Sequence, residues 1–72
     1  MPVLTTYQGK PFTDIDFKAK VLAVGRELSR MRWDNMTGKQ AEAWGVKRAK
    51  EKGVPPKYRS AVARGAMKMV IG

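Results

Sequence analysis

The sequence predicts a mainly α-helical fold: a compact three-helix domain with a small β-hairpin at its N-terminal end. Three observations carry this. Two capping boxes, Thr13-x-x-Asp16 and Thr37-x-x-Gln40, mark helix starts. Gly53 followed by Pro55-Pro56 marks a helix stop and the start of another. Between Phe17 and Met31 the apolar residues recur with helical spacing. The chain divides into a hairpin or arm over 1–12, a core helix over 13–34, a basic helix over 37–53 and a C-terminal helix over 55–70.

The first segment, "VLTTYQGKPF" at 3–12, brings Val3, Leu4, Thr5, Thr6 and Tyr7 to Gly9-Lys10. Gly9 at the first central position suits a tight hairpin turn. Pro11 has no N–H for a ladder, so the return strand should be short and at an edge. The core helix follows, over roughly 14–33. Thr13 caps it, Asp16 reaches back as a variant box, and Phe12 and Phe17 form the matching hydrophobic staple. Asp14 and Asp16 place negative charge at the positive end of the helix dipole. Phe17, Val21, Val24, Leu28 and Met31 form its apolar stripe, and Lys18, Arg26 and Arg30 lie away from it.

Thr37 opens the next helix, from about 38 to 52, with Gln40 completing the box. Lys50 and Lys52 favour a nearby C-terminus, and Gly53 suits a left-handed cap. Gly45 costs this helix about 1 kcal/mol relative to alanine and is a candidate break. The last helix, from about 56 to 69, puts Tyr58, Ala61, Val62, Gly65 and Met69 on one face. Lys57, Arg64 and Lys68 cluster on another. Ala61 and Gly65, small and four apart, permit close approach to a neighbouring helix.

Seventy-two residues without cysteine or histidine make one modest domain. A chain of this size buries only about 60% of the surface that its unfolded form exposes. Disulfides, thiol nucleophiles, imidazole bases and the common zinc sites are excluded. No apolar run of roughly 18 residues suits a membrane span, and "MPVLTTYQG" does not read as a secretory signal. The expected location is the cytoplasm. Fifteen Lys and Arg face six Asp and Glu, a net charge of +9. Residues 1–36 hold six basic and four acidic groups, and 37–72 hold nine basic and two acidic. The second half therefore points to an anionic partner.

Nothing nominates a catalytic residue or cofactor. Asp14 and Asp16 are two apart and point in different directions around a helix. Glu27, Asp34, Glu42 and Glu51 show neither paired nor metal-binding spacing. "TGKQ" lacks the earlier glycine of a phosphate loop. The expectation is a protein that is not an enzyme and carries no metal.

The binding candidates lie in "VKRAKEKGVPPKYR", 46–59, which packs six positive charges and one negative into fourteen residues. Lys47, Arg48, Lys50, Lys52, Lys57 and Arg59 exceed what a helix dipole accounts for, and Arg64 and Lys68 extend the patch. Tyr58 either packs beneath a helix start or stacks on a base. Trp44 and Val46 lie about 160° apart around the helix. Either Trp44 enters the core, or it is exposed beside Arg48 as a binding anchor. A helix-turn-helix needs a small residue, a turn glycine and a buried aliphatic. Ala41 and Gly45 supply the first two, but Glu51 stands where the third belongs, and "VKRAKEKG" makes a very short recognition helix.

In size, charge, lack of Cys and His, and capped helices, the chain resembles the small regulators that bacteriophages direct against host transcription. That resemblance implies binding to RNA polymerase, antagonism of the sigma factor and readthrough at terminators; it identifies no site residue. Two expectations follow. In one, the protein docks on RNA polymerase or another acidic protein surface, anchored by Trp44 or Trp33 and steered by the basic patch. In the other, DNA or RNA is bound directly through 47–59 with Arg64 and Lys68. A membrane-surface role at "AVARGAMKMVIG" lacks a sufficient apolar face.

Overall fold

Two residues of positive φ, Gln8 at 53° and Gly9 at 77°, turn the chain between β1 (Val3–Tyr7) and β2 (Lys10–Thr13). The expected central pair was Gly9-Lys10. Instead Lys10 pairs with Tyr7 as the first residue of the return strand. With positive φ at both central residues the turn is of the I′ kind, where the expected Gly9-Lys10 pair would have made a II′ turn. Pro11 lies opposite Thr6 in this two-stranded sheet, where a missing donor is tolerated. The computed structural model describes residues 3–31 and 35–71, the side chain of Ile71 excepted.

The strand runs directly into α1 (Asp14–Arg30) through Thr13. Thr13 Oγ1 accepts from the Asp16 N–H at 3.2 Å, and Asp16 Oδ2 accepts from the Thr13 N–H at 2.9 Å. These reciprocal bonds satisfy two donors that a helix start otherwise leaves without partners. The helix ends at Arg30, where the Met31 N–H donates to Leu28 O. The expected extension to 33, and with it Trp33, falls outside the described residues.

α2 (Gly38–Glu51) starts at the second capping box and continues through Gly45 without a break. Close packing explains the glycine: a Cβ there would lie 2.8 Å from Ala63 Cβ. The helix ends in a Schellman motif. Gly53, at φ 83°, donates to Lys50 O at 3.1 Å, and Val54 donates to Ala49 O at 3.0 Å. Val54 and Ala49, the apolar pair that accompanies such an end, are both fully buried. Pro55 follows, and α3 (Pro56–Ile71) begins.

α3 is the middle of the molecule and packs far more extensively on each of α1 and α2 than those two pack on each other. Gly65 lies against Val21 and Gly25 against Met69, so α3 runs parallel to α1. Gly45 lies against Ala63 while Glu42 reaches Arg64, so α3 runs antiparallel to α2. A helix with neighbours on two sides needs a broad small-residue face. That face is Val62, Ala63 and Ala66, all fully buried, with Gly65 beside them. Ala61, expected at the contact, is exposed, as is Met69.

The core gathers Phe12, Val24, Ala49, Val54, Val62 and Ala66, with Phe17, Val21, Trp44 and Tyr58 packed against it. No described helix is long and apolar enough to cross a membrane.

Candidate functional site

The basic run divides according to the two sides of α2. Its buried line is Ala41, Gly45 and Ala49, which faces α3. At about 100° per residue, one side of that line carries Arg48, Lys52, Trp44 and Glu51, and the other carries Glu42, Val46, Lys39 and Lys50.

The first side faces α1. Glu27 projects from α1 into an ion-paired cluster with Arg48 and Lys52, and Arg48 also pairs with Glu51. Lys52 Nζ lies within ion-pair range of Glu27 Oε2, an atom without a well-aligned hydrogen bond. Lys52 first, then Arg48, hold the Glu27 carboxyl below its usual range, against a smaller opposing effect of burial. Glu27 in turn raises the Arg48 guanidinium above its ordinary value.

Trp44 is half-buried on this same side. With Glu27, Arg30, Met31 and Arg48 it lines an open hollow of about 380 Å³. The two readings of Trp44 and Val46 meet halfway. Both are half-buried, because the small-residue line between them takes the contact with α3.

Two further candidates are turned inward. Arg59 donates through Nε to Val54 O at 2.8 Å and through Nη2 to Tyr7 Oη at 3.0 Å. It thereby ties the hairpin to the turn between α2 and α3. Tyr58 packs against Phe12 and Phe17, with ring centroids 5.7 and 6.1 Å away. The structure places it at a helix start among aromatic rings.

The second side is different. Lys39, Lys47 and Lys50 are exposed on the outward arc of α2. On α3, Lys57, Arg64 and Lys68 are exposed and share one stripe about 40° wide. Arg64 Nε lies 3.4 Å from Glu42 Oε1 across the α2–α3 seam, which puts both stripes on one face of the helical pair. Apart from this contact the six cations have no ion-pair partner among the described residues. α3 itself contains no acidic residue. Lys39 lies outside the 47–59 run and was missed. Its place eleven residues before Lys50, about 20° away around the helix, is the available signal.

The structure therefore brings Lys47, Lys50, Lys57, Arg64 and Lys68 together. It directs Arg48, Lys52 and Arg59 to partners within the fold.

The helix-turn-helix expected around Gly45 is absent. Its turn would have to fall at Gly45, but α2 runs unbroken from Gly38 to Glu51, so "VKRAKEKG" is the second half of one helix and its end, not a separate recognition helix. α2 and α3 form an antiparallel helical hairpin instead. No group of three or more metal-ligating side chains occurs among the described residues.

The fold and its charge define a small three-helix domain with one cationic face. Comparison with known proteins finds no matching family model, no matching curated protein and no matching solved structure.

Proposed function

We propose that this protein binds nucleic acid through the outer face of the α2–α3 hairpin and acts as a non-enzymatic accessory factor, with transcription the process its general character favours. One observation carries the reading. Six exposed cations, Lys39, Lys47, Lys50, Lys57, Arg64 and Lys68, face outward on two adjacent antiparallel helices, with Glu42 among them and Glu51, paired with Arg48, at the edge beside Lys47. Concentrated like charge costs the compact state free energy through self-repulsion, and a polyanion relieves it. Phosphates also gain by releasing their condensed counterions.

The geometry favours this over docking on RNA polymerase. A protein interface of useful affinity is anchored by a few well-packed aromatic or arginine side chains. Trp44 is already half-buried against the core and Arg48 is already ion-paired. Contact with phosphates needs only the cations that remain.

The test is charge reversal, read by fluorescence anisotropy with labelled DNA and by recovery from bacterial lysate with and without nuclease. Lys50→Glu combined with Lys57→Glu is expected to weaken binding by at least about tenfold at moderate salt, with the helical circular dichroism unchanged. Trp44→Ala is expected to leave DNA affinity nearly as it was. Polymerase subunits that remain bound after nuclease, and are lost on Trp44→Ala, would establish the protein-docking alternative instead.

A further inference from the structure

We infer that the hairpin face binds a nucleic-acid duplex by its two rows of phosphates and reads no base edge. This rests on the nucleic-acid reading above and adds the kind of nucleic acid the face takes.

The first argument is the absence of stacking platforms. Proteins that hold single strands without sequence preference lay successive bases on exposed aromatic rings. Here Phe12 and Phe17 both pack on Tyr58, and Tyr7 is tied to Arg59. Trp44 lies on the opposite side of α2, toward α1. The aromatic ring at the border of the cationic face is Tyr58, with Lys57 Nζ 5.9 Å from its centroid, and that ring is already packed on Phe12 and Phe17.

The second argument is width. Reading base edges in a duplex requires an element that enters the major groove, about 12 Å wide. One helix of about 10 Å diameter fits. Two helices side by side span roughly twice that and do not. α3 cannot project alone, because Gly45 holds it in contact with α2 and Gly65 holds it against α1. The face must therefore rest on the backbone. Packed helix axes about 8–10 Å apart let the α2 stripe and the α3 stripe meet phosphates on opposite sides of a minor groove about 6 Å wide.

The third argument is side-chain chemistry. Base edges are read by arginine or lysine on guanine and by asparagine or glutamine on adenine, and only the planar arginine and amide groups fix the geometry themselves. Five of the six cations are lysines, which act as point charges. The one arginine, Arg64, is engaged by Glu42. Gln40 spends its side-chain oxygen on the Thr37 N–H at the start of α2. The face holds charge in position and little that discriminates.

The experiment is a salt titration of the full chain, read by anisotropy. The probes are two labelled duplexes of unrelated sequence, each about 20 base pairs, and one of their single strands, between about 50 and 200 mM salt. The duplexes are expected to agree within about threefold and to bind at least about tenfold more tightly than the single strand, with a log–log salt slope of about −4 to −5, the value for five phosphates. A single strand bound as well as the duplexes, or one duplex preferred by about tenfold or more, would overturn the duplex-backbone inference while leaving nucleic-acid binding in place. Failure of all three probes to bind would overturn both.

Discussion

Replacing Gly45 by alanine sets helix propensity against packing, and the structure says which wins. Gly45 lies in the middle of α2, where alanine is favoured by about 1 kcal/mol. A Cβ at that position would meet Ala63 Cβ at 2.8 Å and Ala63 Cα at 3.1 Å. Carbon atoms rest at about 3.5–4.0 Å, so the shortfall against Ala63 Cβ is about 0.7–1.2 Å. Neither atom of Ala63 can rotate away. The helices must separate, and that opens the seam beside Ala49, Val54 and Val62, all fully buried. Overpacking of this kind costs about 1–3 kcal/mol. Set against the propensity gain, Gly45→Ala is expected to lose about 1 kcal/mol net, which lowers Tm by about 4–8 °C in a domain this small.

Gly25, also mid-helix, is the control. Its added Cβ would meet Met69 Cε at 3.0 Å and Sδ at 3.1 Å, the end of a flexible and 45% exposed side chain. Met69 can move, so Gly25→Ala is expected to gain up to about 1 kcal/mol. Thermal and urea unfolding followed by circular dichroism read both variants. A Gly45→Ala protein as stable as the parent, or more so, would refute the account of the α2–α3 contact.

Two other outcomes concern the ends and the ion pairs. Glu27 and Asp16 both titrate below their ordinary values of 4.5 and 3.8 in the folded chain, Glu27 through Lys52 and Arg48 and Asp16 through the Thr13 backbone and hydroxyl. The unfolded chain then binds more protons than the folded one as pH falls into this range, so stability is whole above it and declines below about pH 5. Urea midpoints across that range should fall less steeply for Glu27→Gln than for the parent, and an unchanged decline would remove Glu27 from the explanation. Thr13→Ala should cost about 1 kcal/mol in the same urea assay, the usual worth of a helix cap, and a loss of only a tenth or two would show that the box contributes little.

The elements were legible wherever their determinants are local. Thr13 with Asp16 and Thr37 with Gln40 announce helix starts within four residues, and Gly53 with Pro55 announces a stop. What failed needed more than local information. Gln8 carries no local sign of positive φ, so the sequence suggests Gly9-Lys10 where the turn is Gln8-Gly9. Gly45 reads as a weak point in isolation, because Ala63 arrives from another helix. The four-residue spacing of Ala61 and Gly65 describes one helix face, whereas α3 has neighbours on two sides and meets α2 through Ala63.

The site divides along the same line between local and distant information. A count of charges along 47–59 treats Arg48 and Lys50 alike, although two residues on a helix differ by about 200°. Arg48 and Lys52, four apart, fall on the side of α2 where α1 brings Glu27, twenty-one residues before Arg48 in sequence. Lys50 falls on the side where Glu42 is the described carboxylate, and Lys47 lies on the outward edge of the helix, one turn before Glu51, whose carboxylate is paired with Arg48. Glu27 on α1 thus draws Arg48 and Lys52 out of the basic run, as Val54 O and Tyr7 draw Arg59, and the rest faces outward. A different placement of Glu27, one residue along α1, would rotate its carboxylate by about 100°. Lys52 would then lose its partner and Arg48 would keep only Glu51, which adds charge to the α1 side and blurs the contrast between the two sides of α2.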